Sequence, residues 1–179
     1  MRRVVLALAL LLGLARAAAA DTLHTEAAGL RFTVPREWSR VPAASEMRAA
    51  QYRIPRASGD AEDGELVLFY FGEGKGGSSE DNLTRWYGQF TEPDRRPPRD
   101  VATVTSRTVH GLRVTALDLP GTYVGGPAGS APRAAFRLLA AVVEGKSGPW
   151  FFKAVGPSAT MDAAKPGFTA LIDSLQPHP

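Results

Sequence analysis

Apolar residues recur along this chain with two different periods, and the stretches between them carry much of the proline, glycine and charge. Leu30, Phe32 and Val34 alternate with Arg31 and Thr33, the two-residue period of a strand with one buried face, and Pro35 stops it. Trp38 follows and is expected to pack back over the strand end. Residues 47–54, bounded by Pro42 and Pro55, give a second strand. Residues 65–71 (ELVLFYF) have no charged position after Glu65. A strand without a polar face needs cover on both sides, which places it centrally between two layers. Residues 138–143 (LLAAVV) and 150–155 (WFFKAV) share that character. Residues 101–109 and 112–119, rich in Val, Thr and Leu, meet at His110-Gly111 and read as a hairpin.

The longer period appears twice. Leu83, Trp86, Tyr87 and Phe90 make one apolar stripe at helical spacing, predicting a helix over residues 80–90. Ser78 or Ser79 can cap it, and Glu80 and Asp81 suit its positive N-terminal end. Met161, Ala164, Phe168, Leu171, Ile172 and Leu175 predict a second helix over residues 162–175. With that start, Pro166 falls in the first turn, where its missing N–H has no partner to lose. Three polar connections remain: the glycine-rich 72–79, the Pro/Arg/acid stretch 92–100, and 121–132, rich in Gly, Pro, Ser and Ala.

Residues 1–20 alter the picture of compartment and charge. A basic start (Met1-Arg2-Arg3), an apolar run over residues 4–15 and four alanines at 17–20 form the three-part pattern of a secretory signal, with cleavage expected after Ala20. The apolar run is too short to span a bilayer, and no second run approaches that length. The expectation is therefore an exported protein, periplasmic or secreted, with one domain over residues 21–179 and no membrane span after cleavage. The chain has 21 Lys+Arg against 18 Asp+Glu. Arg2, Arg3 and Arg16 fall in the leader, which holds no acid, so the remainder balances 18 bases with 18 acids. A neutral mature chain argues against nucleic acid as a partner. The absence of cysteine excludes disulfides and thiol chemistry.

Candidate chemistry is sparse. Gly72-Glu73-Gly74-Lys75-Gly76-Gly77 satisfies G-x-G-x-x-G between a strand and a helix. The dinucleotide fingerprint also needs a parallel strand–helix–strand unit and an acid closing the next strand, and the acid at that distance, Asp94, lies in a Pro/Arg loop. The motif reads as a turn, and no cofactor is expected. His24, His110 and His178 lack ligand spacing. The acids Asp60, Glu62, Asp63 and Glu65 do not follow the calcium-loop order. They read as a solvated turn, so no metal is expected. Trp38, Trp86 and Trp150 read as core residues. Asn82-Leu83-Thr84 matches the glycosylation pattern but lies inside the predicted helix. No G-x-S-x-G elbow occurs, and no catalytic residue is assigned.

The order of these motifs carries a resemblance. F-x-V-P-x-x-W from Phe32 to Trp38, ELVLFYFG at residues 65–72, NLTRWYGQF at 82–90, LLAAVVEG at 138–145 and GPWFFKAVGP at 148–157 are similar to small exported bacterial proteins of unknown function. The fold of these proteins resembles that of PsbP, the extrinsic subunit of photosystem II, and of a small Ran-binding nuclear import factor. The resemblance spans residues 29–175. It implies an α+β fold, an α/β/α sandwich with a mostly antiparallel central sheet of about six or seven strands and helices on both faces. It also implies a role in docking to partners, and it transfers no functional residue.

The function expected from these observations is a non-catalytic accessory or binding protein, with an unknown protein partner or a small ligand. The polar loops are the expected contact surfaces, with Tyr123, Arg95, Arg96 and Arg99 as candidate contact residues. Two alternatives stand beside it: a hydrolase using His110, the sole internal histidine, and a small-ligand carrier with a pocket between sheet and helix.

Overall fold

A computed structural model describes residues 22–178. The predicted leader lies outside the described residues. In chain order the elements are β1 (Thr22–Ala27), β2 (Leu30–Pro35), β3 (Ser39–Arg40), β4 (Arg48–Ile54), β5 (Gly64–Tyr70), α1 (Ser79–Tyr87), β6 (Phe90–Thr91), a 3-10 turn (Pro98–Asp100), β7 (Thr103–Val109), β8 (Leu112–Tyr123), β9 (Arg133–Gly145), β10 (Gly148–Pro157), α2 (Ser158–Asp173) and β11 (Gln176–Pro177). Eight strands form one sheet in the order β3-β4-β5-β10-β9-β8-β6, with β7 also pairing β8. A separate sheet has the order β1-β2-β11. All recorded pairings are antiparallel.

The fold is α+β as expected, but its layering differs from the symmetric sandwich. The alternating strand 30–34 does not join the central sheet. It becomes the middle of the small sheet, which shares one face of the large sheet with α2. On that face Leu30, Phe32 and Val34 pack with Leu66 and Leu68 of β5, Phe152 and Ala154 of β10, Leu139 and Ala141 of β9, and Met161, Phe168 and Leu171 of α2. Phe32 meets Phe152 edge-on at 5.5 Å between ring centroids, a favourable aromatic geometry. The opposite face gathers Leu117, Leu119, Leu138, Ala140, Val142 and Phe151 with Trp86 of α1 and with Phe90. Nine-residue α1 covers only part of that face, so the two helices do not make equivalent outer layers.

The apolar strands behave as two-sided core. Residues 138–143 of β9 are each 2% exposed or less, which satisfies both faces at once. Trp38, Trp86 and Trp150 are all buried, and Trp150 Nε1 donates to the Ala28 carbonyl at 2.7 Å. The hairpin at His110-Gly111 forms, with both residues at positive φ (45° and 83°) as a tight turn requires.

Helix α1 opens on a capping box. Ser78 accepts from the Asp81 amide, and Asp81 accepts from the Ser78 amide. Helix α2 starts at Ser158, four residues earlier than its apolar stripe suggests, so Pro166 lies in the helix interior. Its exposed ring puts the missing hydrogen bond on the solvent side. The early start has a cause remote in sequence. Asp60 accepts from both the amide (2.8 Å) and the hydroxyl (2.5 Å) of Thr160, capping α2 from the 57–60 loop.

Candidate functional site

The α1 side of the sheet is incompletely roofed, and a lysine of the central strand β10 sits in the gap. Lys153 lies mid-strand in β10, opposite Val67 of β5 and Ala140 of β9. Strand alternation sends its side chain to the face of Phe151 and Val155. Its ammonium donates to Gln89 Oε1 at 2.6 Å and to Tyr123 Oη at 3.4 Å. It also stands 5.4 Å from the centroid of the Tyr123 ring.

Tyr123 is reached because β8 runs on past Leu119. A register irregularity between Gly121 and Tyr123 turns the ring inward, where it stacks on Phe136 at 6.1 Å and tilts against Phe90 at 5.3 Å. Its hydroxyl donates to the Gly125 carbonyl at 2.8 Å, which ties down the loop that follows. Arg133, the first residue of β9, lays its guanidinium 5.0 Å from the Tyr123 centroid and 4.5 Å from that of Phe136. Arg133 Nη1 also donates to Glu62 Oε2 at 2.9 Å. On the far wall Arg48 donates to Glu65 Oε1 at 3.2 Å, and the same oxygen accepts from Gln51 at 2.5 Å.

These groups surround a cleft of about 520 Å³, with Val67, Phe69 and Val155 as its apolar floor and Gly125-Gly126-Pro127 at its rim. A smaller depression of about 190 Å³ beside α1 shares Phe69 and Lys153 with it. Burial lowers the Lys153 pKa to about 8; Glu65 opposes that shift, and Arg48 and Arg133 add to it. Burial likewise raises the Tyr123 phenol. None of the ion pairs among the described residues involves Lys153. The arrangement is therefore a half-buried ammonium held by two neutral oxygens, with two guanidiniums on the walls and one carboxylate, itself twice bonded. Such a site can receive negative charge next to apolar surface.

The candidate contact residues are not brought together. Tyr123 is 5% exposed and is part of the cleft wall, not a loop side chain offered to a partner. Arg95, Arg96 and Arg99 are exposed on the 92–100 connection. Arg96 pairs with Asp94 at 2.6 Å, and Arg95 has a positive φ of 62°. His110 Nδ1 lies 2.9 Å from the Leu175 carbonyl, and no serine hydroxyl bonds to its ring among the described residues. The acidic turn disperses onto separate partners: Asp60 caps α2, Asp63 holds Arg53 and the Arg56 amide, Glu62 meets Arg133, and Glu65 meets Arg48. No cluster of three or more metal-ligating side chains occurs among the described residues. The G-x-G-x-x-G stretch joins β5, which has antiparallel neighbours on both sides, to α1. At Gly76 (φ 92°) a Cβ would stand 2.6 Å from the Phe151 ring, so the glycine serves packing. Asn82 is buried, and its amide donates to the Gly76 and Ser78 carbonyls.

Lys153 is the residue that periodicity passes over. Its signal was one lysine in an otherwise apolar run, WFFKAV, where a cation has to find partners or water.

No protein-family model matches the chain, and no curated protein matches its sequence. Among solved structures, it is similar to cyanobacterial PsbP (CyanoP) from Synechocystis sp. PCC 6803, with a TM-score of 0.55 and 15% identity over 93% of this chain and 99% of that one. It is also similar to a protein of unknown function, PA94, from Pseudomonas aeruginosa, with a TM-score of 0.49 and 11% identity over 88% of this chain and 98% of that one. The PsbP-like fold implied by the sequence motifs is the fold observed. Among the described residues no helix is long and apolar enough to cross a membrane.

Proposed function

We propose that this protein is an exported, non-catalytic binding protein with an accessory role, and that the cleft beside Lys153 is its contact site. One observation carries the reading: polar side chains from β4, β5, β8, β9 and β10 converge on a single concavity floored by apolar residues, the usual form of a binding site. The leader-like residues 1–20 support export, and the PsbP-like fold is compatible with an accessory role, as an analogy of fold. The hydrolase reading of His110 gains no support from its surroundings, because its ring meets a backbone carbonyl. The small-ligand reading gains from the cleft, although the cleft lies mainly between sheet and loop, with only its smaller annex against α1.

Native mass spectrometry of the protein recovered from the cell envelope tests this. The wild type should retain an additional mass, small molecule or chain, that Gly126→Trp at the cleft rim abolishes. Retention by Gly126→Trp together with loss on combined Arg95→Ala, Arg96→Ala and Arg99→Ala substitution would move the contact site to the 92–100 connection and end the cleft reading.

A further inference from the structure

We infer that the cleft takes a small ligand carrying a carboxylate or phosphate on an apolar body, with the anion against Lys153 and Arg133 and the body on Val67, Phe69 and Val155. This rests on the cleft being the contact site and adds the chemistry of what enters it.

The charge balance is the first ground. Arg48, Arg133 and Lys153 line the cleft against one acid, Glu65. Glu65 Oε1 already accepts from Arg48 and Gln51, and Arg133 reaches Glu62 through Nη1 alone. Lys153 has three donors and two acceptors, one of them at the long distance of 3.4 Å. A buried ammonium with no carboxylate in hydrogen-bond contact is costly, and a bound anion would offset part of that cost.

The second ground is placement. Lys153 and Arg133 both stand within about 5.4 Å of the centroid of one ring, Tyr123, so the two cations approach one region of the cleft. Arg133 offers a planar fork suited to carboxylate or phosphate oxygens, and Lys153 adds a point charge from the sheet. The third ground is the floor. Phe69 is half-buried and Val67 fully buried, which gives an uncharged body somewhere to rest. A cleft of about 520 Å³ suits a compact molecule.

The groups facing Lys153 are Arg48 from β4, Glu65 from β5, Tyr123 from β8 and Arg133 from β9, with Arg85 from α1 lining the adjoining depression. Anion affinity should therefore fall as the lysine loses its proton, before the phenol or any of the guanidiniums changes state.

The test is an amide NMR titration of the purified, processed protein with benzoate, phenyl phosphate and benzyl alcohol, which share one ring and differ in charge. The expected result is saturable shifts at Lys153, Tyr123 and Phe69 with at least one anion, about tenfold tighter than with benzyl alcohol. The tighter of the two anions identifies carboxylate or phosphate as the natural group. Lys153→Met should remove that preference, bringing the anions down to the level of benzyl alcohol. Benzyl alcohol binding as tightly as both anions would overturn the inference and leave the cleft as the contact site. Saturable shifts with an Asp/Glu-rich peptide but with neither small anion would also overturn it, in favour of a protein partner.

Discussion

The two sides of strand β10 face different surroundings. On one side Trp150, Phe152 and Ala154 are 2%, 0% and 0% exposed, under α2 and the small sheet. On the other, Phe151 is buried, but Lys153 and Val155 open onto a cleft. The same backbone thus supports a sealed layer and an unfinished one. The sealed layer gains stability from dispersion and water exclusion. The unfinished layer has less of both and leaves a charged group bordering the cleft. The tightest packing and the proposed contact cleft therefore lie on opposite sides of one strand.

The largest expected effect breaks the sealed side. Phe152→Ala should cost about 3–5 kcal/mol in urea unfolding, whereas Phe69→Ala on the cleft floor should cost about 1–2 kcal/mol, because water already reaches its ring. Equal losses would show that the cleft side is packed as tightly as the other. Next comes the end of the β10–β5 pairing, where a Cβ on Gly156 would lie 2.8 Å from Gly64 Cα and 3.2 Å from Met161 Sδ. Gly156→Val should destabilise by about 2–3 kcal/mol through overpacking, read from the denaturation midpoint.

Lys153→Met should act in the opposite direction. The folded-state pKa of about 8 lies below the usual lysine value, so the unfolded chain binds more protons between about pH 8 and 10.5 and wild-type stability rises with pH across that window. At pH 7 the variant should be more stable by about 2 kcal/mol, and the gap should close as the pH climbs through the window. A gap independent of pH would place the lysine in water. The smallest effect belongs to the edge of the sealed side. Burial alone would raise the Asp118 pKa, but hydrogen bonds from Arg137 and Lys165 outweigh it and hold the carboxyl below its usual range. Arg137 grips Asp118 with two bonds at 2.6 and 2.7 Å and also meets Asp162 of α2. Asp118→Asn should cost about 1 kcal/mol at neutral pH. That difference should fade in acid, as the wild-type carboxyl takes up its proton below about pH 4.

Sequence pattern located the buried strands well, because a run such as LLAAVV has no face that tolerates water. It did less well wherever the cause lay far along the chain. Helix α2 begins early because Asp60, about a hundred residues upstream, binds Thr160, and local spacing holds no trace of that bond. The strand 30–34 was correctly read as one-faced, but alternation does not say which sheet a strand joins. The two-residue strands β3, β6 and β11 were too short to carry any period. At the site, Tyr123 looked like a loop residue because Gly121 and the glycines beyond it suggest a turn. Instead β8 runs on to Tyr123, four residues past the expected end at 119, through the register irregularity, and the ring is buried. Lys153 was hidden in the average hydrophobicity of its strand, while Arg48, Glu65 and Arg133 meet it only through strand order.

Strand β2 takes its two neighbours from opposite ends of the described chain: β1 on one side and β11 on the other, with the His178 amide fixed to the Gly29 carbonyl at 2.9 Å. Leu30, Phe32 and Val34 lie far upstream in sequence of Met161, Phe168 and Leu171 of α2, with which they pack, so this side of the core is completed only by long-range contacts. Truncation of only the final few residues should thus leave the nascent protein sticky well before it measurably alters the sheet that bears the cleft.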